Sequence, residues 1–232
     1  MELTNEQKKS LLGQGYIPSD DGVHFACRVL IPAGKMNAEE ACKIAEVSEK
    51  YGKGFFNLTQ RANVEIPWIK HQDLDKVASE LKEVGLSIGG TGIRVRPALV
   101  CKGKVCKFSF FNTEDVAKEI DERFYRGQYK SLLPNKFRIV VSGCNNGCTK
   151  PLLGCIGLQG RKPNQVAIMI GGMFGKDHMV GQELAGLYSV SEALNIVEKA
   201  IVYYRENGLP GERFAKTVAR IGFETVETVL VG

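Results

Sequence analysis

The hydrophobic pattern switches repeatedly between a helical and an extended period. Residues 4–12 (TNEQKKSLL) are spaced as a short helix, closed by Gly13 and Gly15. VHFACRVLIP, 23–32, alternates as a strand and ends at Pro32 and Gly34. Asn37 then stands where a helix cap is needed, with Glu40 three residues on to complete a capping box. The run AEEACKIAEVSEKYG sets Ala41, Ile44, Ala45 and Val47 largely on one face and stops at Gly52. Two short strands are predicted around 54–58 and 62–67, followed by a helix over 72–84 ending at Gly85. The order βαββα with short connections predicts a half-buried antiparallel sheet with helices on one side.

A Gly- and Ser-rich stretch, SIGGTG (87–92), marks the one candidate boundary and divides the chain into 1–86 and 87–232. Beyond it the pattern predicts a strand in IRVRPALV (93–100), a helix over 113–127 capped by Thr113, and strands in KFRIVVSG (136–143) and VAIMIGG (166–172). An amphipathic helix is predicted over 190–207, and a second one within 212–222 after the Leu209-Pro210 break. The chain shows no internal repeat and no low-complexity tract.

Composition narrows the class. A chain of 232 residues with 44% apolar and 25% charged residues can bury a sizeable core and is too apolar for disorder. No run approaches eighteen apolar residues, and MELTNEQKKSLLGQGY lacks a signal-peptide apolar region, so no membrane association and a cytoplasmic location are expected. Seven cysteines, an odd number in a chain without an export signal, argue against a disulfide framework. The net charge of +5 invites a polyanionic partner. The basic residues are dispersed, however, and aromatics make up only 8% with no stacking strip, so no nucleic acid is expected.

The cysteines fall into two groups. Cys27 and Cys42 lie among apolar neighbours and read as core thiols. Cys101 and Cys106 flank KGKV after one predicted strand, and Cys144 and Cys148 flank NNG after another. Two such pairs can converge from adjacent loops, and four thiolates suit either a structural zinc or a 4Fe–4S cluster. The spacings C-x4-C and C-x3-C, neither of them the C-x2-C of a zinc knuckle, fit the larger object better. Gly143 and Gly147 let the backbone approach a bulky group, and Asn145 and Asn146 suit a turn and can donate to sulfur.

At this point the sequence resembles the siroheme-dependent nitrite and sulfite reductase family. SGCNNGCTKP followed by IGLQG and VAIMIGG is similar to that family's GCPNGCxxP, IGLxG and apolar-GG block, in the same order. NLTQRANVEIPW (57–68) resembles its LTxRQxxQ strand, LLPNKFRIVVSG (132–143) its LPxKFK motif, and CRVLIPAG (27–34) its RxRLPGG strand. The resemblance covers about 22–225. It implies an α/β (α+β) fold: a ferredoxin-like half-domain at 1–86, then a siroheme and 4Fe–4S domain at 87–232. Large relatives carry this unit twice, so the chain looks most like the small single-repeat sulfite reductases of anaerobes. Either one copy suffices or a homodimer restores the pair.

The resemblance also implies roles. Cys101, Cys106, Cys144 and Cys148 would ligate the cluster, with Cys148 bridging to the siroheme iron. The family's first pair is usually C-x5-C, so the shorter loop here makes Cys155 a candidate substitute, otherwise a buried thiol. Arg28, Arg96, Lys136 and Arg138 would bind sulfite or nitrite. Arg61, Asn145, Asn146, Lys150 and Lys176 would contact the cofactors. Lys136 and Arg138 alternate on one strand and so share a face. Burying a polycarboxylate macrocycle, a cluster and an anionic substrate requires compensating cations. Six-electron reduction needs a redox cofactor, because side chains supply no electrons. With neither a nucleotide loop nor a dinucleotide fingerprint, electrons are expected from a separate ferredoxin or flavoprotein. The alternative is an iron–sulfur electron-transfer or scaffold protein of the same fold without siroheme catalysis, favoured by the short first loop.

Overall fold

Thr4 starts the first helix. Its hydroxyl accepts the Gln7 N–H, the Gln7 side chain returns to the Thr4 N–H, and the chain leaves at Gly15 in a left-handed conformation. The computed structural model describes residues 3–127 and 131–232 and divides the chain into two units, Met1–Gly92 and Ile93–Gly232. The first holds α1 (Asn5–Gln14), β1 (Tyr16–Pro18), β2 (His24–Leu30), α2 (Ala38–Tyr51), β3 (Asn57–Leu58), β4 (Val64–Lys70), α3 (Leu74–Glu83) and β5 (Ser87–Ile88). Its antiparallel sheet has the order β1-β2-β4-β3, with β5 pairing the end of β2 that β1 leaves.

Alternation puts Phe25, Cys27 and Val29 of β2 on one face of this sheet, against Ile44 and Val47 of α2 and Val77 and Leu81 of α3. On β4 the inward residues Ile66 and Ile69 are three apart, which strict alternation forbids. A bulge reconciles them: Cys27 pairs with Ile66 and Phe25 with Ile69, so Pro67 and Trp68 face the single Ala26. Trp68 takes up the turn at φ 67°. The capping box of Asn37 and Glu40 is present. Cys42 corrects the sequence reading. It is exposed, because it lies roughly 200° around the helix from Ile44 and so on the solvent side.

The second unit holds β6 (Leu99–Val100), α4 (Thr113–Ile120), β7 (Ile139–Ser142), β8 (Ile156–Lys162), β9 (Gln165–Ile170), β10 (Gln182–Glu183), β11 (Tyr188–Ser189), α5 (Val190–Asn207), α6 (Phe214–Ile221) and α7 (Phe223–Val231). Its sheet runs β10-β9-β8-β7-β6, with β11 also on β9. The pairs β6–β7 and β7–β8 are parallel, and β8–β9 is an antiparallel hairpin. The strand predicted over 93–100 shrinks to Leu99–Val100 plus an isolated bridge from Val95 to Phe137, because Pro97 has no N–H to donate between them. The helix predicted from 113 is capped by Asn112, whose side chain accepts the Glu114 N–H, and it passes into a π-helical turn at Asp121–Arg126. Thr113 is buried, and its hydroxyl donates instead to the Cys101 carbonyl at 2.7 Å.

Phe137, at the bridge, is fully buried against Tyr204 and Phe214, with ring centroids 5.8 and 5.1 Å away. Glu212 closes this corner. Its carboxylate accepts from Arg220 Nε and Nη2, the Thr217 hydroxyl and the Leu209 N–H, and its carbonyl accepts the Tyr204 hydroxyl. The Arg220 guanidinium holds the Glu212 carboxyl down to about 2, against an ordinary 4.5. Its ionised form therefore stabilises the fold fully above pH 4.5, and the contribution disappears as pH falls towards 2. Thermal melts across this interval should show Glu212→Gln less stable than the parent at pH 6, with the gap closing as pH drops to about 2.

Candidate functional site

Because β6 and β7 run parallel, the loops leaving their C-terminal ends emerge side by side. Cys101 directly follows β6, and Cys144 comes two residues after β7. The Gly143 N–H donates to Cys101 Sγ at 3.2 Å, and the Cys101 N–H donates to the Val141 carbonyl at 3.1 Å. The Gly143 carbonyl accepts the Phe110 N–H at 2.8 Å. Position 143 admits no side chain, since a Cβ would strike the Ser109 hydroxyl. The two cysteine loops are thus laced together through main chain and sulfur.

The second loop is held from behind. Gly147, at φ 59°, donates its N–H to the Cys144 carbonyl, and the Lys150 N–H donates to the Gly147 carbonyl at 2.7 Å. Gln159 of β8 donates to the Asn145 carbonyl at 3.0 Å, and Arg161 donates to the Asn145 side-chain oxygen at 3.0 Å while pairing with Glu183. Both oxygens of Asn145 are therefore committed to the protein, which leaves its amide N–H groups as donors. Asn146 is exposed. The Thr149 hydroxyl, against Ser142 at 2.6 Å, ties the end of the loop to β7.

All four of these thiols are free; Cys101, Cys106 and Cys144 are half-buried and Cys148 is exposed. Among the described residues no three Cys, His, Asp or Glu side chains close around a single ion. Four thiolates are the donor set of a four-iron cluster, one for each iron. The Gly143 N–H aimed at a sulfur is the kind of donor that stabilises a ligating thiolate. The donor set fits the cluster. Cys155 is not part of it. It is buried beside β8, its sulfur donates to the Lys136 carbonyl at 3.8 Å, and its neighbour Ile156 bonds to Arg138. Ser142, where the cysteine loop begins, is four residues beyond Arg138, roughly 13 Å along the strand.

Upstream on the same two strands lies a cationic face. The Phe137 N–H donates to the Arg94 carbonyl, and the Arg96 N–H donates to the Phe137 carbonyl. This parallel bridge buries Val95 and Phe137 on one side and so sets Arg94, Arg96, Lys136 and Arg138 together on the other. The Nε atoms of Arg94, Arg96 and Arg138 are buried without an acceptor among the described residues, while each of the three residues has other interaction partners. Such a face suits acidic macrocycle substituents or an oxyanion.

In the first unit, Arg28 and its partner Glu65 lie on the sheet face opposite the core. Arg28 is buried, donates from Nε and Nη2 to Glu65 Oε1 at 2.8 and 2.6 Å, and donates from Nη1 to the Gly90 carbonyl. Arg61 is half-buried in the tight turn Thr59–Asn63, which passes through Ala62 at φ 56°. Lys150, itself at φ 58°, and Lys176 are exposed. The sequence reading missed Arg94, although the alternation Arg-Val-Arg repeats that of Lys-Phe-Arg at 136–138. It also missed Gln159, the side chain in IGLQG that braces the cysteine loop.

Residues 91–230 match the family described as "Nitrite and sulphite reductase 4Fe-4S domain", and residues 17–84 match the "Nitrite/Sulfite reductase ferredoxin-like half domain". The chain is 33% identical over 143 residues to the coenzyme F420-dependent sulfite reductase of Methanocaldococcus jannaschii, covering 61% of this chain and 22% of that protein. It is 29% identical over 229 residues to the sulfite reductase (NADPH) hemoprotein beta-component of Methylorubrum extorquens, covering 90% of this chain and 35% of that protein. The chain thus spans well under half the length of these relatives. Two solved structures share the fold at 16% identity. Dissimilatory sulfite reductase I superposes with a TM-score of 0.83 over 95% of this chain and 74% of that one. The NirA protein of Mycobacterium tuberculosis superposes with a TM-score of 0.85 over 99% of this chain and 47% of that one. With its thiols and cations arranged on the two strands as described, and with both matched regions in order, the chain belongs to the nitrite and sulphite reductase 4Fe-4S domain family.

Proposed function

We propose that the chain acts as a siroheme- and 4Fe–4S-dependent reductase, taking sulfite to sulfide or nitrite to ammonia with electrons from an external low-potential donor. The observation that carries this reading is the Gly143 N–H on Cys101 Sγ, which joins both cysteine loops at the ends of the two strands that bear the cations. Cys101, Cys106, Cys144 and Cys148 would hold the cluster, and Cys148 would also face the siroheme iron. When bound, the two groups supply the electrons that no side chain can.

The protein's share of the chemistry is electrostatic and protonic. Arg96, Lys136 and Arg138 bind the small oxyanion and stabilise charge as its bonds to oxygen break. Lys136 Nζ carries a transferable proton, whereas the Arg138 guanidinium keeps its proton at any working pH and supplies charge alone. Arg94 adds to the field of this face. Arg28 and Arg61 carry the roles their motifs imply, a substrate cation and a partner for a siroheme carboxylate. Asn145, Asn146, Lys150 and Lys176 contribute donors towards the cofactors, Asn145 through its amide N–H groups. Among the described residues no helix is long and apolar enough to cross a membrane.

The decisive experiment is anaerobic turnover with reduced methyl viologen, after expression replete in siroheme, comparing sulfide and ammonia as products. Siroheme bands together with either product are expected. Protein that takes up iron and sulfide but shows neither bands nor product would instead be the electron-transfer or scaffold protein. Lys136→Arg should lower kcat by about 100-fold with little change in KM, because charge is kept and the proton donor is lost. Cys148→Ser should abolish the coupled cluster–haem spectrum, whereas Cys42→Ser, on the solvent side of α2, should leave spectrum and activity as they are. Gly143→Ala should reduce bound iron, measured per chain, since its Cβ meets Ser109 and shifts the N–H away from Cys101.

A further inference from the structure

The segment that carries the first cysteine pair, CKGKVCKFSF, has a composition its ligand role does not require. Lys102, Lys104 and Lys107 are all exposed, and between them stand Val105 and Phe108, exposed by 73% and 55%. Lys107 Nζ lies 5.0 Å from the centre of the Phe108 ring. The sequence contains no Asp or Glu between Glu83 and Glu114, and among the described residues no carboxylate pairs with any of the three lysines. Three cations and two projecting apolar side chains thus flank Cys101 and Cys106, and among the described residues no carboxylate answers the lysines.

The display is built into the fold. The Cys106 N–H donates to the Gly103 carbonyl at 2.8 Å, the Ser109 N–H donates to the Cys106 carbonyl at 3.1 Å, and the Ser109 hydroxyl donates to the Phe111 carbonyl at 2.7 Å. The Thr113 hydroxyl anchors the Cys101 carbonyl, and Gly103, at φ 53°, leaves no space for a Cβ beside it. A fixed apolar centre ringed by like charges is the anatomy of a recognition surface and is otherwise a solubility cost. Three lysines and one phenylalanine ring within seven residues are too few to track a nucleic-acid backbone with stacked bases.

We propose that residues 102–108 form the docking face for a small acidic one-electron carrier protein, whose carboxylates engage Lys102, Lys104 and Lys107 around Val105 and Phe108. This inference rests on the reductase reading and names the surface through which the reductant is received. At each encounter the reduced carrier gives up one electron and leaves oxidised by one. Six encounters, with eight protons drawn from solvent, convert one sulfite to hydrogen sulfide and three waters, or one nitrite to ammonium and two waters.

The test uses the holoprotein and an acidic plant-type 2Fe–2S ferredoxin as probe, with affinity read by calorimetry at low and high salt. The parent should bind at low salt and weaken by about tenfold or more on raising ionic strength from about 20 to 200 mM. The triple variant Lys102→Glu, Lys104→Glu, Lys107→Glu should bind at least about tenfold more weakly and be reduced more slowly by ferredoxin, with methyl viologen turnover within about twofold of the parent. Arginine at the same three positions should restore binding. The proposal is overturned if the parent does not bind ferredoxin at low salt, if the Glu variant binds equally well, or if anionic phospholipid vesicles bind the parent as tightly as ferredoxin does. Loss of methyl viologen turnover in the parent itself would count against the reductase reading, and the binding comparison would still decide the docking face.

Discussion

The arrangement depends on one constraint: two strands lie parallel and in register. Parallel pairing sends both chains the same way, so whatever follows β6 and whatever follows β7 must emerge together. The N–H of Gly143 meeting the sulfur of Cys101 is the consequence that matters, because it sets the spacing of thiols that are far apart in sequence. Replace the parallel pair by a hairpin and the cysteine loops would leave at opposite ends. The same register carries the bridge from Val95 to Phe137, and with it the common face of the four cations. Thiols at one end and cations further upstream are thus presented by one pair of strands.

What could be read from the sequence follows from how local each cause is. The capping box at Asn37 and Glu40 and the bounds 190–207 of the long helix are set by contacts three or four residues apart, and the structure has both. The side-by-side orientation of Lys136 and Arg138 was also legible, since it needs only an extended backbone. Features with tertiary causes were not. Thr113 looks like a cap, yet its hydroxyl is claimed by the Cys101 carbonyl, and Asn112 takes the capping role. Cys42 has apolar neighbours in sequence but points away from them in space. The bulge at Pro67–Trp68 exists because Ile66 and Ile69 must both face the core, a demand visible only once α2 and α3 are in place. β8 was hidden by its glycines, and α7 by the break at Gly222.

The charge balance also changes meaning. A net +5 spread over the sequence looks like a surface property. In the structure part of it is drawn inward: Arg28 is buried and paired with Glu65, and three further arginines bury their Nε atoms on the face of two strands. Guanidinium suits this placement because it stays charged where an amine would shed its proton. The lysines, by contrast, are concentrated where water or a partner can reach them, as at 102, 104 and 107.

The bridge between Val95 and Phe137 has one more consequence, which is mechanical. A pleated strand is a lever with the core on one side and the working groups on the other, and here Phe137 is gripped by Tyr204 and Phe214. A guanidinium extends about 6 Å from its backbone, so a rotation of about 10° at the strand moves it by about 1 Å, a displacement that can cost about a hundredfold in rate. Packing behind the strand therefore sets the aim of the groups in front of it. The direction in which these cations point can thus drift through changes at aromatic residues buried on the far side of the strand.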